Sequence, residues 1–111
     1  MRFSLKTKFV RCIDGDTIIA LIDQGLAVYT QQVLRLARIN APELKDDPEK
    51  GSAAKKALDD LCKLYGDERM VVETLKRDPY GRWVAEVWIG NGETNLSDWL
   101  VAQGHAVPHK Y

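Results

Sequence analysis

The sequence predicts one small domain of the α+β class, mainly β with helices, and three observations lead to this class. Its 111 residues lie within the ~100–150 typical of a single domain and suffice for a hydrophobic core. The composition is 45% hydrophobic and 29% charged, with only 8 Gly and 4 Pro, which excludes collagen-like, coiled-coil and disordered chains. Apolar residues follow strand-like patterns in the first 40 positions and helical spacing after residue 52.

Three strands are expected in the first part of the chain, at positions 9–13, 17–22 and 27–39. These runs are rich in β-branched and other apolar residues, and a glycine-containing turn separates each run from the next. Pro42 forces extended geometry on the residue before it and ends the third strand.

A helix is expected at positions 52–65, because apolar residues recur there at helical spacing and Gly66 suits the position after a helix end. Two further strands are expected at 70–75 and 83–89, where apolar and β-branched residues return. The chain therefore continues from a helix into a second pair of strands.

A short helix follows the fifth strand, with Thr94 or Asn95 as its cap and Gly104 as its stop. The order of three strands, a helix, two strands and a short helix fits a five-stranded Greek-key barrel of the OB type. One such domain is expected to span residues 1–111.

Composition also narrows the function classes. Basic and acidic residues both number 16, so net charge gives no general argument for a polyanionic partner. No window approaches the ~18 consecutive apolar residues of a membrane span, and no membrane partner is expected. Cys12 and Cys62 lie in apolar surroundings without Cys-x-x-Cys spacing, so we expect two reduced, packed thiols and no zinc site. The N-terminus lacks the apolar stretch of a signal peptide, and the compartment stays open.

Three clusters contain the polar residues that can carry chemistry. They are Asp-Gly-Asp-Thr at 14–17, Arg-Leu-Ala-Arg-Ile-Asn-Ala-Pro-Glu at 35–43 and Asp-Pro-Tyr-Gly-Arg at 78–82. Each cluster alone is explained by turn formation, because Gly, Pro, Asn and Asp all favour turns. Only their combination indicates a site.

Together the clusters supply the groups that phosphodiester hydrolysis needs. Oxygen ligands from Asp16, Asn40 and Glu43 suit calcium or magnesium rather than a transition metal. The guanidinium groups of Arg35 and Arg82 can each hold two phosphate oxygens and neutralise charge that develops in the transition state. The Glu43 carboxylate can also position or deprotonate a water molecule.

These motifs resemble those of the staphylococcal nuclease (thermonuclease) family, over residues 5–111. The shared features are Asp-Gly-Asp-Thr, then Arg-x4-[Asp/Asn]-x-Pro-Glu at the end of the third strand, then Tyr-Gly-Arg before the fifth strand. The resemblance implies an OB-fold barrel with flanking helices. It also implies a calcium-dependent nuclease that acts on DNA and RNA and cleaves on the 5′ side of the phosphodiester, leaving 3′-phosphate ends.

The resemblance implies a metal site as well. Asp16 and Asn40 become calcium ligands, and the Ala41 carbonyl completes the set from the protein. Position 40 is Asn where the family pattern has Asp, so the site loses one formal charge. Pro79 stands where a basic residue would help to hold a terminal phosphate.

The remaining roles concern the substrate. By the same resemblance, Glu43 becomes the general base, and Arg35 and Arg82 become the clamps on the phosphate and the transition state. Tyr80 is expected near the substrate phosphate or base. Tyr111 is the candidate for a tyrosine that stacks on the substrate.

Two interpretations of function remain open, an active nuclease and a non-catalytic module that binds nucleic acid or protein on the same barrel. The joint presence of Asp16, Arg35, Glu43 and Arg82 favours the enzyme, whereas Asn40 favours the module. For the enzyme we expect a monomer that acts on single-stranded or frayed DNA and RNA, because a small barrel with a shallow groove tracks an unpaired strand most easily.

Overall fold

The computed structural model describes residues 7–65, 70–90 and 93–109, together with the backbone of residues 2–5. Tyr111, the candidate for a stacking tyrosine, lies outside these residues. Within them, no helix is both long enough and apolar enough to cross a membrane.

Strands dominate the described part of the chain, and two helices interrupt them. The elements are, in chain order, β1 (Arg2–Leu5), β2 (Thr7–Asp14), β3 (Thr17–Asp23), β4 (Tyr29–Leu36), β5 (Ile39–Asn40), α1 (Pro48–Leu64), β6 (Met70–Arg77), β7 (Trp83–Ile89), β8 (Thr94–Asn95), α2 (Leu96–Ala102) and β9 (Val107–Pro108).

The main sheet has the strand order β1-β6-β7-β4-β3-β2. Its neighbours pair antiparallel except β4 and β7, which run parallel. The strands β1 and β2 follow each other in the chain but stand at the two ends of this order, so the sheet begins and ends in one chain segment. This topology is that of an OB-type barrel, and the predicted α+β fold, with a helix after the third long strand and a short helix after the fifth, is confirmed.

The strand β4 covers only part of the predicted strand 27–39. It begins at Tyr29 rather than at position 27, because Gly25, Leu26 and Ala27 have φ values of 89°, 53° and 61° and form the hairpin loop before it. It ends before Arg38, whose φ of 67° turns the chain away from the sheet. Positive φ at non-glycine residues is uncommon, which is why the sequence pattern did not predict these boundaries.

Both helices begin with a capping side chain. In α1, Asp47 Oδ1 accepts a hydrogen bond of 3.2 Å from Lys50 N, and Pro48 suits the first helical position. The helix therefore starts earlier than the predicted position 52. In α2 the cap is Asn95, whose Oδ1 accepts a 3.0 Å bond from Asp98 N.

One hydrophobic core joins the sheet to both helices, and its fully buried side chains include Leu34 of β4, Leu58 of α1 and Leu100 of α2. Cys12 and Cys62 belong to this core and are free thiols, in agreement with the prediction. Burial raises the pKa of Cys12 to about 12, because a buried thiolate loses its hydration. Burial therefore disfavours the thiolate, which is the reactive form of cysteine.

Gly15→Ala is expected to destabilise the fold, because the turn between β2 and β3 lies directly on α1. A Cβ at Gly15 would lie 2.6 Å from Ala54 Cβ and 3.0 Å from Ala41 Cβ, and overpacking of this kind costs about 1–3 kcal/mol. Urea unfolding followed by tryptophan fluorescence measures the effect.

Ala54→Gly removes the nearer of the two carbons and provides the control. Combined with Gly15→Ala it should restore part of the lost stability, although glycine alone weakens a helix. Such a coupling between two sites is what a double-mutant cycle measures. Wild-type stability of the Gly15→Ala variant would contradict the close packing of this turn.

Candidate active site

The sheet register brings the first two clusters of polar residues together. Thr17, which follows Asp16, lies opposite Arg35 in the pairing of β3 with β4. On its other side Arg35 lies opposite Val84 of β7, two residues after Arg82. The predicted site residues Asp16, Arg35 and Arg82 therefore converge on one end of three neighbouring strands.

Arg35 is buried, and its guanidinium group is surrounded by the turn that follows β4. Nη1 donates to Leu36 O at 2.7 Å, and Nη2 donates to Ile39 O at 2.8 Å and to Asn40 Oδ1 at 2.6 Å. Nη2 also lies 3.4 Å from Asp16 Oδ2. An arginine has five N–H groups, so two of them have no acceptor among the described residues.

Asp16 connects the first cluster to the second through hydrogen bonds. Its Oδ2 accepts a 2.9 Å bond from Ala41 N, and its Oδ1 accepts a 3.1 Å bond from Thr17 Oγ1. Its carbonyl oxygen accepts a 2.8 Å bond from Leu36 N. The carboxylate is buried, so these bonds and the nearby Arg35 charge offset the cost of its desolvation.

The third cluster folds into a turn that aims Arg82. Asp78 Oδ1 accepts bonds of 2.9 Å from Tyr80 N and from Arg82 N, and Oδ2 accepts from Arg82 Nε at 2.5 Å. Burial alone would raise the pKa of Asp78, but the hydrogen bonds from Arg82 and Tyr80 hold it below its ordinary value. The Nη atoms of Arg82 have no acceptor among the described residues, so this end of the fork is available to a ligand.

Arg35 and Arg82 line one cavity of about 230 Å³. Its charged and aromatic lining residues are Arg35, Lys76, Arg77, Asp78, Tyr80 and Arg82. Four cations against one carboxylate make this cavity positive although the whole chain is neutral. Tyr80 is 84% exposed, and the Arg82 guanidinium lies 5.4 Å from the centre of its ring.

Lys76 and Arg77 were not predicted as site residues. Arg77 lies 4.5 Å from the centre of the Trp83 ring and donates a 2.7 Å bond to Gly81 O. The sequence offered one signal for them, because they directly precede the third cluster. The sequence does not show that they share a cavity with Arg35. That arrangement depends on the parallel pairing of β4 with β7.

Glu43 lies in the loop between β5 and α1, and its side chain is 56% exposed, 3.7 Å from Lys45 Nζ. Among the described contacts none joins Glu43 to Arg35 or Arg82. The loop itself is held against the helix, because a Cβ on Gly51 of α1 would lie 3.0 Å from the Glu43 carbonyl carbon. The structure thus fixes the backbone of Glu43 and leaves its carboxylate in solvent.

The predicted calcium ligands consist of oxygen donors with a single carboxylate. They are Asp16, the Asn40 amide oxygen and the Ala41 carbonyl, and the described residues contain no group of three His, Cys, Asp or Glu side chains suited to a metal. Each oxygen of Asp16 already accepts one hydrogen bond and retains capacity for another partner. Oxygen donors of this kind fit a hard cation such as calcium. Only one of the three donors, Asp16, carries a negative charge.

A network outside the predicted site surrounds Arg38. Its Nε and Nη2 donate to Glu86 Oε1 and Oε2 at 2.6 and 2.9 Å, and Nη2 lies 3.0 Å from Asp98 Oδ1. Asn95 Nδ2 donates a 2.7 Å bond to Glu86 Oε2. Glu86 is the only acidic residue of β7, and a buried carboxylate on an apolar strand requires a partner, which is the signal that sequence analysis missed.

Glu86→Gln is expected to make the free energy of unfolding depend less on pH in the acid range. Burial alone would raise the pKa of Glu86, but hydrogen bonds from Arg38 and Asn95 hold it below its ordinary 4.5. The carboxylate therefore stabilises the fold above about pH 4.5, and this contribution is lost as the pH falls below that value.

Urea unfolding at a series of pH values tests this prediction. The variant should lose stability near neutral pH and differ less from the wild type in acid. An unchanged acid dependence in the variant would contradict it.

Comparison with known proteins identifies relatives. The family model described as staphylococcal nuclease homologue matches residues 33–111, which include the second and third clusters. Two proteins named "uncharacterized endonuclease", from Escherichia coli O157:H7 and Escherichia coli, are each 33% identical to this chain over 99 residues. These matches cover 89% of this chain and 58% of each relative, so the chain spans little more than half of their length.

Proposed function

The chain belongs to the staphylococcal nuclease homologue family, and from this premise we propose that it is a nuclease that hydrolyses the phosphodiester bonds of DNA and RNA. We further propose that the reaction depends on calcium and cleaves on the 5′ side of the phosphodiester, leaving 3′-phosphate ends. The two relatives named as endonucleases support the general activity.

The observation that carries the proposal is the pair of arginines at one cavity. Arg35 and Arg82 both line it, and both retain N–H groups that lack acceptors among the described residues. A planar guanidinium can bind two phosphate oxygens at once. Both groups are held by other hydrogen bonds, so they need little reorganisation as charge grows on the phosphate.

Glu43 is the proposed general base. Its carboxylate would take a proton from the attacking water, a contribution typically worth about 10²–10⁴-fold in rate. Glu43 follows Asn40, which bonds Arg35, by three residues, and its side chain is exposed to solvent. The close packing of its loop on Gly51 supplies the fixed backbone that such a role needs.

Calcium would be held by Asp16, Asn40 and the Ala41 carbonyl. When bound, it would supply positive charge at the phosphate and polarise the attacking water. Asp16 also keeps its own structural role, because it accepts the Ala41 N–H and lies beside Arg35.

Single-stranded or frayed nucleic acid is the proposed substrate. The cavity is small and is bordered by the exposed ring of Tyr80, on which an unpaired base can stack. Because the whole chain has no net charge, few phosphates beyond the cavity are neutralised, and we propose a shallow salt dependence of binding.

One observation favours a second candidate, a catalytically weak or inactive module that binds nucleic acid. The Asn40 oxygen already accepts a 2.6 Å bond from Arg35, so a metal must share this oxygen or displace the arginine. Such a module would bind single strands through the same cavity and would not cleave them.

Digestion of single-stranded DNA with calcium, with magnesium and with a chelator tests the proposal. Cleavage is expected only with calcium, because calcium tolerates an irregular and water-rich shell that magnesium does not. Analysis of the product ends should find 3′-phosphates. Binding without cleavage would favour the second candidate, and equal rates with magnesium and calcium would overturn the assignment of the metal site.

Asn40→Asp is expected to tighten calcium binding in the absence of substrate. The change adds a negative charge without altering shape, and calcium affinity rises with ligand charge. Calorimetric titration measures the difference. Gln31→Glu, which adds the same charge on an exposed position of β4, is the matched control and should bind calcium like the wild type. If Asn40→Asp also left binding unchanged, residue 40 would not be a ligand.

A further inference from the structure

The turn that follows β4 determines where the Arg35 guanidinium lies. Two of the three acceptors of this group are the carbonyl oxygens of Leu36 and Ile39, at 2.7 and 2.8 Å. Both carbonyls belong to the turn 36–39, so a change in the backbone of this turn would move the acceptors and, with them, the side chain. Arg35 can be held in one orientation only if the turn is held as well.

The turn has an unfavourable backbone conformation at its centre. Arg38 has a φ of 67°, in the left-handed region that residues with a Cβ adopt at a cost and that glycine adopts readily. A conformation of this kind persists only where surrounding contacts impose it, and such positions cluster at functional sites.

The Arg38 side chain makes some of the contacts that impose it. Its guanidinium forms two hydrogen bonds with Glu86 of β7, at 2.6 and 2.9 Å. The Glu86 side chain is only 9% exposed, and Asn95 holds it through a 2.7 Å bond. A planar, two-point contact to a fixed carboxylate orients the arginine strongly, and thereby the backbone to which it is attached.

Backbone bonds also fix the turn at Ala37 and at Arg38 itself. Ala37 N donates to Ala85 O at 2.9 Å, and His109 N donates to Arg38 O at 2.8 Å. These bonds tie the turn to β7 and to the segment after α2. The Arg38 side chain also lies 3.0 Å from Asp98, whose side chain is 68% exposed. The two-point bond to the buried Glu86 carboxylate is therefore the side-chain contact that orients Arg38 most strongly.

We propose that Arg38 and Glu86 are positioning residues for Arg35. Their ion pair holds the turn 36–39 in its left-handed conformation, and the carbonyls of that turn then hold the Arg35 guanidinium towards the cavity. This inference rests on the proposed function for its link to phosphodiester cleavage, whereas the positioning of Arg35 can be measured without substrate.

Three variants separate this role from a contribution to stability alone. Arg38→Ala removes the ion pair and leaves a residue that adopts a positive φ only at a cost, whereas Arg38→Gly removes the ion pair and adopts the same φ without strain. Glu86→Gln keeps the size of the side chain and removes its charge, and it provides the same test if Arg38→Ala does not fold. Lys56→Ala, which removes the exposed pair of Lys56 with Asp60, is the control.

The readouts are kcat and KM on single-stranded DNA, measured well below the unfolding temperature, and the NMR signals of the Arg35 side-chain N–H groups without substrate. Arg38→Ala and Glu86→Gln should lower kcat by about tenfold or more, since small misplacements can cost up to about 10²-fold. They should also shift or broaden the Arg35 signals. Arg38→Gly should recover most of both readouts, and Lys56→Ala should change neither.

Two results would overturn the proposal. One is wild-type kcat and unchanged Arg35 signals in both Arg38→Ala and Glu86→Gln. The other is an Arg38→Gly variant whose kcat and Arg35 signals are as impaired as those of Arg38→Ala. The Arg38 side chain would then not act by holding the backbone of the turn. If the wild-type protein did not cleave DNA, the proposed function would fail, and the NMR comparison would still decide whether Arg38 and Glu86 position Arg35.

Discussion

Arg35→Lys is expected to lower kcat for nucleic acid cleavage by about 10²–10³-fold, the loss typical when one preorganised donor to the transition state is removed. The guanidinium of Arg35 bonds Leu36 O, Ile39 O and Asn40 Oδ1 and still directs N–H groups elsewhere. A lysine has a single nitrogen with three donors. It cannot hold the turn and also bind two phosphate oxygens.

Arg11→Lys is the matched control, because Arg11 is exposed on β2 and contributes to no part of the proposed site. Its kcat should equal that of the wild type. Circular dichroism and tryptophan fluorescence establish that each variant is folded before its rate is compared. Near-normal kcat in a folded Arg35→Lys protein would show that this guanidinium does not contact the scissile phosphate.

Glu43→Gln is expected to have an effect of similar size, a loss of about 10²–10⁴-fold in kcat, because general base catalysis contributes that range. The amide has the shape of the carboxylate but cannot accept the proton of water. Since the Glu43 side chain is 56% exposed and its only described ion pair, with Lys45, is 3.7 Å long, the substitution should leave stability almost unchanged. In this variant kcat should therefore fall while the free energy of unfolding stays close to the wild-type value.

Glu49→Gln is the control for Glu43→Gln. Glu49 is exposed in the first turn of α1, close in sequence to Glu43 and equal to it in charge. A loss of activity in both variants would point to the charge of this region rather than to a base at position 43. Full activity of Glu43→Gln would remove Glu43 from the reaction.

Local patterns predicted the long elements because the physics that forms them is local. The helical spacing of apolar residues predicted α1, and the β-rich runs predicted β3, β6 and β7. The strands β1 and β9 were not predicted, and of β5 only Ile39 lay within the predicted strand 27–39. The strands β5 and β9 pair Ile39 with Pro108 and Asn40 with Val107. No short stretch of sequence contains both members of such a pair.

The same distinction applies to the site. Asp16, Arg35 and Arg82 were identified from motifs that combine turn residues with charged groups, and the structure brings them to one end of the sheet. The partnership of Arg38 with Glu86 was missed because 48 positions separate the two residues. The single glutamate of an otherwise apolar strand indicates that a partner is needed, but nothing in the sequence identifies that partner as Arg38.

The parallel pairing of β4 with β7 has a consequence for how the protein folds. The placement of Arg35 beside Arg82 depends on this short ladder, which joins residues 34–36 to residues 83–85. Contacts between such distant parts of a chain pay a large loop-closure entropy before they gain stability, and they tend to form late. The hairpins β3–β4 and β6–β7 can each form from neighbouring sequence, but neither contains both Arg35 and Arg82. A chain that has not yet docked these two hairpins holds Arg35 apart from Arg77 and Arg82, so the barrel must be assembled before these arginines can line one cavity.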